Sequence, residues 1–109
     1  MNEFMEMLQK HEKQVAQICN KIESGEHYLD DLREYLPVLN QMVLSIFTLM
    51  DDPQIQLDLN KEFVLQVLND IVYGIEQEDA VYLLDVLRYG LLEVYAYVGA
   101  ELQGENSYE

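Results

Sequence analysis

Cysteine is almost absent: Cys19 is the only one in 109 residues, so a single chain can form neither an internal disulfide nor a cysteine-based metal site. Basic residues are scarce as well, 6 against 21 acids, for a formal net charge of −15 at pH 7. Residues 1–23 hold 4 acids and 3 bases, so nearly all of the excess lies in the rest of the chain. A field of this sign repels phosphates and anionic lipid. Nucleic acid and membrane surface are therefore not expected as direct partners, and a cationic protein surface is the natural complement. Uninterrupted apolar runs are a few residues long, far below the ~20 that a bilayer-spanning helix needs. The opening MNEFMEMLQKHEKQV has neither the basic start nor the apolar stretch of a signal peptide, and a cytoplasmic protein is expected.

Constellations that carry chemistry are missing too. A carboxylate-bridged metal site inside a helical bundle needs Glu-x-x-His steps. His11 instead follows Leu8 at that spacing, and His27 follows Ser24. Cys19 and His11 are eight residues apart, about 12 Å along a helix at ~1.5 Å per residue, too far for a nucleophile and its base. There is no glycine-rich phosphate loop, no Ser/His/Asp arrangement and no zinc spacing. Catalysis, a metal and a cofactor are accordingly not expected. His11 reads as a boundary or core histidine whose polar nitrogen reaches solvent or a backbone carbonyl, and Cys19 as a small buried hydrophobe.

What the sequence does have is one period, repeated four times. Phe4, Leu8, His11, Val15, Ile18 and Ile22 step alternately by four and three, as do Tyr28, Leu32, Tyr35, Leu39, Met42, Ile46 and Leu49. The spacing returns in Val64, Leu68, Ile71 and Ile75, then in Ala80, Leu84, Leu87, Leu91, Val94 and Val98. Only a helix places residues spaced this way on one face. Ser24-Gly25, Asp51-Asp52-Pro53 and Gln77-Glu78-Asp79 punctuate the pattern, with Asp79 a candidate N-cap. Short connections favour antiparallel neighbours. The expected fold is all-α, an up-down four-helix bundle over residues 1–103 with a frayed tail at 104–109. The register passes through Pro37 unshifted, which predicts a kinked second helix. QIQLDLNKEF leaves two starts open for the third helix, Pro53 after an Asp52 cap, or Asp58.

The last helix, AVYLLDVLRYGLLEVYAYV, carries apolar residues on every side. With successive residues about 100° apart, Ala80, Leu83, Leu84, Leu87, Leu91, Val94 and Val98 form the core stripe. Tyr95 and Tyr97 fall on its flanks. Val81, Tyr82, Val86, Tyr89 and Leu92 lie outside it, with Asp85 and Arg88 among them and able to pair at i, i+3. Contiguous apolar surface with aromatic anchors marks interfaces. The expected site is thus an interface of Val81, Tyr82, Asp85, Val86, Arg88, Tyr89 and Leu92, used by another protein or by a second copy in a homodimer.

The stretch NDIVYGIEQEDAVYLLDVLRYGLLEVYAYV, about 30 of the 109 residues, resembles the C-terminal helical pair of small uncharacterised bacterial all-α domains. There a turn after a Gly-Ile step leads into a Leu-Leu-x-Asp-x-Leu-x-Tyr helix, here Gly74-Ile75, then Leu83, Leu84, Asp85, Leu87 and Tyr89. In its small, acidic, all-helical character the chain is similar to flagellar and type III export chaperones, which hold a helical segment of an exported protein. The Tyr82/Tyr89 face of the last helix gives the leading expectation, an adaptor or chaperone-like module that offers that face to another helix. Two other readings compatible with the composition are an acidic antagonist of a basic protein, of the immunity or nucleic-acid-mimic kind, and a structural homodimer domain.

The charge alone generates a first prediction. Protonating carboxylates relieves a repulsion that the compact state feels more than the unfolded chain does. At low salt, melting curves should therefore show higher stability near pH 5 than near pH 8, and added salt should narrow the gap.

Overall fold

The structure, a computed structural model, describes residues 2–106, and the side chains of residues 3–104. It is all-helical, with no strand among the described residues. Four helices are present: α1 (Asn2–Glu23), α2 (Leu29–Met50), α3 (Lys61–Gln77) and a last helix in three parts. Those parts are α4 (Ala80–Val86), a π-helical turn (Leu87–Leu91) and α5 (Leu92–Asn106). The molecule measures 45 × 24 × 20 Å. Residues 104–106 of the expected tail are helical, and 107–109 lie outside the described residues.

Local chemistry explains the boundaries. α1 closes in a Schellman motif: Glu26 N–H donates to the Lys21 carbonyl at 2.9 Å and Gly25 N–H to Ile22 at 3.2 Å, with Gly25 at φ +72°. That left-handed conformation is free only for glycine. α3 closes the same way, Asp79 N–H donating to Gly74 at 3.0 Å and Glu78 N–H to Ile75 at 3.1 Å. There the left-handed position falls on Glu78, φ 49°, which pays the Cβ penalty glycine would avoid. The Asp79 carboxylate caps α4 by accepting from Tyr82 N–H at 3.1 Å, as expected.

α2 runs unbroken through Pro37, with Leu32, Tyr35, Leu39, Met42, Val43 and Ile46 buried on both sides of it. α3 begins at neither Pro53 nor Asp58. Asn60 caps it, its side-chain oxygen accepting from Glu62 N–H at 2.8 Å, while residues 52–60 form an irregular link. Asp52 accepts from Gln54 N–H at 2.9 Å in an Asx turn, Ile55 is buried, and Asp58 N–H donates to the Tyr97 hydroxyl at 2.7 Å. These contacts outweigh the intrinsic helicity of the segment.

The π-turn corrects the expected core stripe. In the last helix Leu83, Leu87, Leu91, Val94, Tyr95, Val98 and Leu102 are buried, whereas Ala80 and Leu84 are only half-buried. A four-residue step overshoots a full α-helical turn by roughly 40°, so Leu83, Leu87, Leu91 and Tyr95 would drift by about 120° along a regular helix. The wider i→i+5 turn advances less per residue and absorbs that drift. Tyr95 is thereby brought from the flank into the core.

The last helix runs antiparallel to α1, with Gly99 against Leu8 at one end and Arg88 paired to Glu23 at the other. It also packs along α3. A Cβ on Gly74 would stand 2.6 Å from Leu83 Cδ2, and one on Gly90 3.3 Å from Val67 Cγ2, so glycine sets the closeness of both contacts.

The shifted stripe can be checked directly. Leu87→Ala should cost about 2–5 kcal/mol as a core truncation, and Leu84→Ala, at a half-buried position, about half of that or less. Equal losses in urea denaturation would contradict the π-turn register.

Candidate functional site

Where α3 meets the last helix, aromatic rings collect at the surface. Phe63, Gln66, Asp70 and Tyr73 follow one another at three- and four-residue steps and share one side of α3, on which Asp70 and Tyr73 adjoin Tyr82 of the last helix. Tyr82, Val86 and Tyr89 share the adjoining side of that helix. Tyr73 and Tyr82 meet edge to face, with ring centroids 5.5 Å apart. Tyr82 is half-buried, and its partial burial together with the neighbouring Asp70 carboxylate pushes the phenol pKa up. Phe63 keeps 49% of its surface in solvent, Tyr73 53% and Tyr89 66%. Among the described residues Val81 is the most exposed large apolar one, at 75%.

The expected interface residues therefore divide. Val81, Asp85 and Tyr89 are exposed, while Tyr82, Val86, Arg88 and Leu92 are half-buried. The second face of the last helix is used in part by α3: Tyr82 rests against Tyr73 and near Gly74, and Val86 lies near Gly90 opposite Val67. Arg88 does not pair with Asp85. It reaches Glu23 at the end of α1, which raises the guanidinium pKa and lowers that of the carboxyl. Phe63 and Tyr73 were not anticipated. Their sequence signal was an apolar residue outside the α3 core stripe, and it goes unseen unless that helix is searched for a second face.

A second feature lies in the interior. His11, 7% exposed, shares a hydrogen bond of 2.7 Å between its Nδ1 and the Tyr35 hydroxyl, and the Tyr35 hydroxyl shares another of 2.7 Å with the Tyr95 hydroxyl. The chain joins α1, α2 and α5, and no side-chain polar atom buried among the described residues lacks a partner. Burial pushes the Tyr35 phenol up to about 12 and the Tyr95 phenol up as well, and it lowers the His11 pKa. His11 is thus a core histidine, and the partner of its Nδ1 is a phenol on α2.

The cations lie elsewhere. Lys10, Lys13 and Lys21 line a groove of about 500 Å³ between α1 and α2, where Lys21 pairs with Asp31. Lys61 lies over the Phe47 ring and pairs with Asp51 at 3.3 Å. Cys19 is buried, and burial raises its thiol pKa. Among the described residues no three His, Cys, Asp or Glu side chains converge as a metal site, and no helix is long and apolar enough to cross a membrane. In comparisons with known proteins the chain matches no protein-family model, no curated protein and no solved structure.

The polar chain predicts an order among variants. Tyr35→Phe strips both His11 and Tyr95 of their partner and should cost about 2–4 kcal/mol. Tyr95→Phe removes only the terminal hydroxyl and should cost about 1 kcal/mol. His11 also sets a pH dependence. Its folded pKa lies below the unfolded ~6.5, so its contribution is complete above about pH 6.5 and is lost as pH falls toward the folded value. This opposes the gain from relieving charge repulsion. In high salt, which screens the repulsion, denaturation midpoints should fall with acidity below pH 6.5 in the wild type and stay flatter in His11→Gln.

Proposed function

We propose that the protein is a non-enzymatic interaction module, an adaptor or chaperone-like up-down four-helix bundle acting in the cytoplasm, with a partner docking on the tyrosine seam between α3 and the last helix. The observation that carries this reading is the exposed apolar surface of Tyr89, one heptad from Tyr82, together with the Tyr73–Tyr82 pair. Aromatic residues with a polar tip are favoured at interfaces because the ring buries area while the hydroxyl keeps a partner. The occupant is another protein or a second copy of the chain. An acidic antagonist of a basic protein is the alternative that the net charge of −15 favours.

Tyr73→Ser combined with Tyr89→Ser tests the reading, since both side chains are more than half exposed and neither belongs to the core. The variant should keep its helical circular dichroism and lose association, because aromatic anchors contribute about 2 kcal/mol or more each. Sedimentation over a concentration series, then with a co-purified partner, reads the result. Unchanged association of a folded variant would remove the seam from consideration. An antagonist held by net charge alone would differ in binding equally well without the rings.

A further inference from the structure

We infer that the occupant of the seam is a cationic amphipathic helix of another protein. The inference rests on the interaction reading above and names its partner. Charge distribution is the first ground. Asp85 and Glu93 stand exposed on the last helix beside Tyr89, and Asp70 lies beside Tyr82. The six basic residues are placed elsewhere: Lys61 is turned to Phe47 and Asp51, Arg88 to Glu23, Lys10, Lys13 and Lys21 to the α1–α2 groove, and Arg33 stands exposed on α2, which is not one of the two helices of the seam. An isologous dimer through the seam would bring the acids of both copies into one interface, in a protein already at −15. A partner bearing lysine or arginine around an apolar stripe meets both the rings and the rim. Guanidinium groups can also lie on the tyrosine faces.

Geometry is the second ground. The seam is the furrow between two antiparallel helices whose backbone groups are bonded within themselves, so there is no strand edge to extend. An occupant must dock through side chains, and a helix presents them at i, i+3, i+4 and i+7. Tyr82 and Tyr89 are seven residues apart, about 10 Å along the axis, which matches the i to i+7 repeat of an occupant helix.

The probe is a synthetic helix of about five turns, with leucine at i, i+3, i+4 and i+7 and arginine and lysine elsewhere, labelled for anisotropy. Sister peptides carry glutamine or glutamate in place of the cations. At low salt the full chain should bind the cationic peptide at least ~10-fold more tightly than the neutral one, with the preference shrinking as salt rises. Binding should weaken ~10-fold or more in Tyr73→Ser/Tyr89→Ser and several-fold in Asp85→Asn/Glu93→Gln. It should be nearly unchanged in Glu26→Gln/Glu34→Gln, which removes two exposed acids outside the seam. Equal binding of neutral and cationic peptides, lost on changing the tyrosines, would overturn the cationic partner and leave the docking reading standing. Equal weakening by both pairs of acid variants would mean diffuse attraction and overturn the proposal. A wild-type dimer that becomes monomeric in the tyrosine variant would make the occupant a second copy. If no peptide binds, the proposal falls, and the docking reading falls with it only if the tyrosine variant also leaves every association of the protein unchanged.

Discussion

Two hydroxyls and one imidazole nitrogen in the middle of the molecule must find partners, because an unpaired polar atom there costs on the order of 1–3 kcal/mol. The solution is the chain from Tyr95 through Tyr35 to His11, which takes one residue from each of three helices. Apolar contacts tolerate small slides of one helix against another, whereas hydrogen bonds of 2.7 Å do not. The registers of α1, α2 and α5 are therefore coupled. Tyr95 reaches the chain because the π-turn at Leu87–Leu91 rotates α5 relative to α4.

The same rotation marks the limit of what the sequence disclosed. The 4-3 pattern located four helices and placed Leu83, Leu87, Leu91, Val94 and Val98 in the core, since burial of apolar area follows periodicity wherever the helix is regular. Projection at a constant 100° per residue has no place for a π-turn, and so it put Tyr95 on the flank and Leu84 in the centre. The start of α3 was illegible for another reason. The cap itself is local, Asn60 accepting from Glu62 N–H, but the tether of Asp58 to Tyr97 that holds the preceding link spans 39 residues, and no local pattern carries it. His11 was recognised as internal, but its partner depends on the pairing of α1 with α2.

The candidate face was half legible. Exposure of Val81, Asp85 and Tyr89 follows from helical geometry. The role of Tyr82 does not, because it is set by α3 through Tyr73 and through the absence of a side chain at Gly74. A single helix projection asks whether a residue points away from the core stripe. It does not ask which neighbour arrives on that side. Arg88 shows the same gap: an i, i+3 acid was available in Asp85, and a tertiary partner, Glu23, took it instead.

Tyrosine is used in this chain for both kinds of environment, and charge decides between them. In the core, where carboxylates are excluded, each phenol pairs with another phenol or an imidazole, and burial keeps it protonated. On the seam the rings remain open to solvent with acids beside them. Those acids destabilise the compact state by mutual repulsion, yet they set like charge against like wherever two seams approach, and like charges across an interface suppress the wrong partner. An apolar seam guarded by acids can stay uncovered on a small helical protein without joining two copies together. If the seam is a docking face, the acids whose repulsion disfavours the compact state at high pH and low salt are also the ones that oppose its pairing with a second copy.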